Sequence, residues 1–163
     1  MRRLGDWDDL VPGTKSSSGY VAVMADTDMT VAEREAFLAG LHVGVLSIAR
    51  EGKGPLALPI WYLYDGDDVL ISMNGTSAKA QLLRKRGRAT FTVQQEAPPY
   101  QYVMVEGVVT IGEHDIDIEA LAARYLGDEM GAWYTKNNPP SADSVVVRLH
   151  PDQWLTVDYG KVM

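Results

Sequence analysis

A chain of 163 residues, 46% hydrophobic and 23% charged, has the composition of one globular domain and can bury a core without a disulfide or metal staple. It contains no cysteine, which excludes disulfide frameworks, zinc–thiolate and iron–sulfur sites and thiol catalysis. A net charge of −7 argues against nucleic-acid or anionic-membrane partners, and no apolar run approaches the roughly 20 residues that span a bilayer, so a soluble cytoplasmic protein is expected.

Residues 1–28 read as an extension to a domain over residues 29–163. The start, Met1 to Asp9, turns acidic where a secretory leader would turn apolar, and Pro12 to Gly19 is loop chemistry. The spacing of Gly13, Lys15 and Ser16 is wrong for a phosphate loop. This arm is expected to be mobile or draped over the domain.

Thr30-Val31-Ala32-Glu33 has capping-box spacing and predicts a helix with an apolar stripe at Phe37, Leu38 and Leu41, stopping near Gly40. His42–Ala49 is nearly all apolar and predicts a strand covered on both faces, with His42 a core or interface histidine. Pro55–Asp65 predicts a second strand; proline donates no ladder hydrogen bond, so Pro59 makes it an edge or a bulge. A hairpin through Asp65-Gly66-Asp67-Asp68 leads into a strand at Val69–Asn74, and Gly75-Thr76-Ser77 opens a short helix over Ala78–Lys85.

Arg88–Glu96 alternates, with Ala89, Phe91 and Val93 on one face, and Tyr100–Ile111 is a long strand carrying Glu106, which faces solvent or lines a pocket. Ile118, Leu121, Ala122 and Tyr125 predict a helix ending at Leu126-Gly127, and Trp133 and Tyr134 sit on another, closed by Asn137 to Pro140. A final hairpin is expected from Ser144–Leu149 and Trp154–Asp158, turning at His150 to Gln153. Six or seven strands without regular strand–helix alternation predict a mainly β, antiparallel barrel. Its strands are apolar on both faces, so the outer wall is expected to be buried by a second copy.

Between Val69 and Gln95 there is no acid, yet Lys79, Arg84, Lys85, Arg86 and Arg88 fall there. This is either a solvated basic turn or a local anion site. Lys79 stands in the first turn of its helix, where the dipole is already positive, a mismatch that an intervening anion removes. The three histidines lie on different elements, which predicts neither a metal site nor a nucleophilic triad.

Three stretches resemble the pyridoxamine-phosphate-oxidase-like split-barrel flavoproteins, and more specifically their deazaflavin-dependent oxidoreductase relatives. They are Gly44 to Trp61 with its Pro59-Ile60-Trp61 strand, then Ser77, Lys79 and Leu83 followed by Arg86-Gly87-Arg88-Ala89-Thr90-Phe91, and then Tyr102 to Val109. The resemblance implies a homodimeric six-stranded split barrel with a flavin-type coenzyme at the subunit interface. It places Leu58, Pro59, Ile60 and Trp61 against the coenzyme ring. Ser72, Asn74, Thr76, Ser77 and Lys79 fall at the ring edge, ribityl chain and phosphate, with Arg86 and Arg88 near the phosphate or an acidic tail. Trp133, Tyr134, Arg148 and Trp154 are candidates for the wall closed by the partner subunit, or for ordinary packing.

Where the flavin-mononucleotide oxidases of the family carry Arg-Lys, this chain has Ala78-Lys79, and Arg86-Gly87 replaces Asn-Pro. That exchange suits a coenzyme with more dispersed negative charge, so the deazaflavin coenzyme F420 is expected, with FMN as the alternative. The implied activity is hydride transfer to a small conjugated or quinone-like acceptor, with Tyr62, Tyr102, Tyr134 or solvent as the proton source. Two competing readings keep the barrel. One is a non-catalytic binder of flavin or a tetrapyrrole, and the other binds single-stranded nucleic acid through residues 84–88, Tyr100 and Tyr102, against which the overall acidity counts.

Overall fold

The capping box at Thr30 closes as its spacing requires: Glu33 N–H donates to Thr30 Oγ1 (3.3 Å) and Thr30 N–H to the Glu33 carboxylate (2.7 Å). It opens α1 (Val31–Ala39), whose Phe37 and Leu38 are buried in the core. The helix stops at the extended residue Gly40, so Leu41 lies beyond the predicted stripe and is exposed. Glu33 also accepts from Lys161 Nζ (2.7 Å), and this bond with that of the Thr30 amide holds its carboxyl down at about 2. The computed structural model describes residues 27–163, so most of the expected N-terminal arm lies outside it. Within it, Thr27 is buried and its carbonyl accepts from Asp158 N–H (2.8 Å).

Seven strands follow: β1 (Gly44–Ile48), β2 (Leu56–Ile60), β3 (Leu63–Tyr64), β4 (Val69–Asn74), β5 (Arg88–Gln95), β6 (Gln101–Glu113) and β7 (Ser144–Asp158). They pair antiparallel in the order β2-β1-β5-β6-β7-β4-β3. The edges β2 and β3 are separated in sequence by Trp61 and Tyr62 alone. Ile60 and Leu63 are therefore at most roughly 11 Å apart along the chain. In a flat sheet of seven strands the edges would lie about 29 Å apart. The sheet must curl until its edges meet, and the result is a split barrel.

Two expectations change. The single strand predicted over Pro55–Asp65 is broken at Trp61, because there the chain leaves one edge and begins the other. Pro59 sits on an edge strand, where its missing N–H breaks no ladder. The expected final hairpin is instead one bent strand. Gly107 pairs with Pro151 and Glu106 with Gln153, which leaves Asp152 as the extra residue of a β-bulge. A Cβ at Gly107 would stand 1.8 Å from the His150 carbonyl oxygen, so the bulge requires glycine there.

Inward residues fill the barrel. Phe91 is fully buried in space that a side chain at Gly44 would occupy, with Tyr62 edge-on at 5.0 Å. The helices α2 (Ala78–Arg86), α3 (Ile118–Leu126) and α4 (Asp128–Asn137) lie at the residues predicted for them, and a 3-10 turn (Tyr159–Lys161) closes the chain. Asp117 caps α3 by accepting from Glu119 N–H (2.9 Å) and Ala120 N–H (3.0 Å). Among the described residues no helix is long and apolar enough to cross a membrane.

Candidate cofactor site

Along β4 the side chains alternate: Val69, Ile71 and Met73 are buried, while Ser72 and Asn74 share the opposite face. The turn after Asn74 uses its hydroxyls on itself. Thr76 N–H (2.8 Å) and Oγ1–H (2.6 Å) both donate to Asn74 Oδ1, and Ser77 Oγ–H donates to the Asn74 carbonyl (2.6 Å). Ser77 Oγ also caps α2, accepting from Ala80 N–H (3.4 Å). Arg84 holds the Gly75 carbonyl, and Gly75 N–H donates to the Asp143 carbonyl (2.7 Å). Asn74 Oδ1 is thus doubly occupied.

A cleft of about 580 Å³ opens beside this turn. Pro59, Ile60 and Trp61 of β2 and its exit line it, with Ser72, Met73, Asn74 and Lys79 from β4 and α2, Ile118 and Leu121 from α3, and Tyr134 from α4. His114 and the 138–141 segment complete the wall. Such a volume is that of a small-molecule or coenzyme pocket. None of its described lining residues is Asp or Glu, in a chain whose acids outnumber its lysines and arginines 22 to 15. Lys79 is half-buried and makes no ion pair with a described residue.

The aromatic side is braced. Trp61 stacks on Tyr125 with centroids 4.9 Å apart and planes 4° off parallel, and meets Tyr134 at 5.5 Å. Tyr125 is fixed in turn, donating to the His42 carbonyl (2.8 Å) and accepting from Tyr62 N–H (3.1 Å). Arg124 holds the Ala39 and Gly40 carbonyls beside it. His42 stacks on Phe37 at 4.4 Å, and burial together with nearby Arg124 lowers its pKa.

Of the residues proposed from sequence, the fold brings Pro59, Ile60, Trp61, Ser72, Asn74, Lys79 and Tyr134 to one cleft. Thr76 and Ser77 build its turn, and Leu58 is half-buried on β2 outside the lining. Arg86 donates to the Ala49 carbonyl (3.1 Å) and faces Glu51 (3.8 Å), while Arg88 forks onto Asp152 (2.7 and 2.9 Å). Arg148 pairs with Asp115, also outside the lining, and Trp133 is exposed in a groove with Leu126 and Met130. Trp154 lies under the Arg34 guanidinium, 3.7 Å from its ring centre. Tyr62 is wholly buried, donates to the Leu38 carbonyl (2.8 Å), and burial pushes its phenol up; burial also raises that of Tyr102. That leaves Tyr134 as the cleft hydroxyl among the three tyrosines proposed as proton source.

Sequence reasoning left out His114, which reaches the cleft wall and exchanges a 2.9 Å hydrogen bond with Ser72 Oγ. The only signal for it was residue type, in a turn between β6 and α3. A second histidine, His150, joins Asp68 (2.8 Å) and Thr110 (2.7 Å) across three elements outside the cleft. Among the described residues no cluster of His, Asp and Glu is arranged to hold a metal.

The family model described as pyridoxamine 5'-phosphate oxidase matches residues 30–158. The chain belongs to this family. The family match spans all seven strands and every wall of the cleft. No curated protein matches the sequence. Among solved structures, the conserved hypothetical protein Rv2991 of Mycobacterium tuberculosis superposes with a TM-score of 0.69 at 24% identity, covering 85% of this chain and 90% of its own. A structure named as an F420 reductase gives 0.55 at 22% identity, over 74% and 94%. A FAD-binding protein of Mesorhizobium loti gives 0.57 at 19%, over 78% and 94%. At these identities the likeness is one of fold: the pyridoxamine 5'-phosphate oxidase split barrel.

Proposed function

We propose that the cleft binds a flavin-type coenzyme by its anionic end, and that the chain is an F420-dependent oxidoreductase acting on a small conjugated or quinone-like acceptor. The observation that carries this reading is the composition of the cleft: an apolar and aromatic wall with polar and cationic residues, and no carboxylate among the described residues. Asn74 and Lys79 line that end at the start of α2, and an amide, an ammonium and the helix's N-terminal dipole are groups that suit a phosphate. Pro59, Ile60 and Trp61 offer the flat side, and β2 as a sheet edge leaves one row of backbone groups unused by other strands.

When bound, the coenzyme supplies the hydride chemistry. The chain's own residues orient it and keep water out: Trp61 is immobilised by its stack on Tyr125, and Ile118 and Leu121 close the apolar side. Tyr134 lines the cleft and is the tyrosine that would give a bound acceptor its proton. Among the described residues Lys79 is the one permanently charged side chain in the lining, which suits the singly charged phosphodiester of F420 better than the nearly dianionic monoester of FMN. The neighbour named as an F420 reductase supports the same order, and the neighbour named as FAD-binding supports a flavin in the cleft. The same reading makes the protein a homodimer whose second copy covers the outer wall.

Titrating the purified protein separately with F420 and FMN tests this. The expected result is a lower Kd for F420 and steady-state reduction of a quinone by reduced F420. A lower Kd for FMN selects the alternative, and binding without turnover selects the non-catalytic binder. Binding of neither overturns the reading.

A further inference from the structure

Resting on that anionic ligand, a further role falls to the residue that sequence reasoning passed over. We infer that His114 and Ser72 form a proton-linked donor pair in which binding of the anion draws a proton onto the imidazole.

The geometry begins with strand parity. Gly112 of β6, Val146 of β7 and Ser72 of β4 lie side by side across the sheet. Val146 stands between the other two, and Gly112 contributes no side chain, so the row ends bare at β6, where a Cβ would have only Arg148 Nη1 within 4 Å, at 3.7 Å. His114 follows Glu113 at the end of β6 and reaches Ser72, its Nε2 2.9 Å from Ser72 Oγ. Both residues line the cleft with Lys79.

A serine hydroxyl has one hydrogen to give. When Nε2 is a bare acceptor, that hydrogen points at the imidazole and is withheld from the cleft. When His114 is protonated, Nε2–H becomes the donor, Ser72 Oγ accepts, and the hydroxyl hydrogen swings toward the ligand. Protonation thus adds a positive charge and redirects a donor together.

The surrounding charges favour this response on anion binding. Lys79 from α2 and Tyr134 from α4 share the cleft with His114. Asp115, the next residue in the chain, is held by Arg148 of β7, and Asp117 is engaged by the N–H groups that open α3. Glu113, the last residue of β6, is exposed to solvent. The neighbouring aspartates are already compensated, so a new anion meets one lysine and one titratable imidazole. Linkage is reciprocal: an anion that prefers the imidazolium raises its affinity for protons.

The test measures Kd for F420, and separately for FMN, from pH 5.5 to 8.5 with the full chain and its His114→Gln variant. Titration of the ligand's own groups is common to both proteins and cancels in their ratio. Wild-type affinity is expected to fall with rising pH by about five-fold more than that of H114Q. In the wild-type protein, the imidazole C2–H resonance of His114 is expected to titrate at higher pH with ligand bound, a measurement that does not depend on the variant folding. Coenzyme binding with parallel pH profiles, or a His114 titration unmoved by ligand, overturns the proton linkage and leaves the cofactor reading standing. Absence of coenzyme binding at every pH overturns both.

Discussion

Lys79 stands where a helix already presents free N–H groups, and a cation placed there is unfavourable by a few tenths to 1 kcal/mol until an anion arrives. It makes no ion pair with a described residue, so removing it costs the fold little. Lys79→Ala is therefore expected to weaken coenzyme binding by roughly 1–3 kcal/mol, the range for a charge-assisted hydrogen bond, while the melting temperature stays within a degree or two. Arg88 is the comparison. Its fork on Asp152 ties β5 to the bulge of β7, so Arg88→Ala is expected to change coenzyme affinity little. Fluorescence titration of both variants checks this, and equal losses would remove Lys79 from its special place. The basic cluster read from sequence is thus largely internal wiring, since Arg84, Arg86 and Arg88 each hold a carbonyl or carboxylate of the chain itself.

At the level of elements, β7 does the most to shape the barrel. Its first half pairs with β4 while its full length pairs with β6, and the bulge at Asp152 lets it bend between them. Gly107 makes that bend possible. Gly107→Ala drives a methyl into backbone that cannot yield without moving β7, and is expected to cost about 3 kcal/mol. Gly54 has open space around its Cβ position, so Gly54→Ala is expected within about 0.5 kcal/mol of wild type. Urea unfolding of the two variants makes the comparison, and equal stability would show that the bulge tolerates a side chain.

The whole molecule leaves apolar surface on the barrel exterior. Leu41, Val43 and Val45 are 60%, 48% and 36% exposed along one continuous segment, and Val108 is 46% exposed on β6. Exposed apolar residues of this kind are the surface that the proposed second copy would cover. Light scattering at micromolar concentration is expected to give twice the 17.9 kDa of one chain, and Val45→Glu to shift it toward the monomer. If the second copy also closes the cofactor site, the same variant loses coenzyme affinity. A monomeric wild-type mass would remove the dimer from the functional reading.

What could be read from the chain alone was whatever a few neighbouring residues settle among themselves. The capping box at Thr30, the cap at Ser77, the edge or bulge at Pro59 and the alternation of β5 are local, and so is the spacing that carries the family resemblance. They sufficed for the split barrel and for much of one cleft wall. The turn read at His150 to Gln153 failed because Pro151-Asp152 serves a hairpin and a bulge alike, and only the partner strand chooses between them. The pairings of Ser72 with His114, Arg88 with Asp152 and Asp68 with His150 join residues 42, 64 and 82 positions apart. A one-residue slip in register would turn each of these side chains to the other face, so their meeting was decided by the closed sheet and by no segment of the sequence on its own.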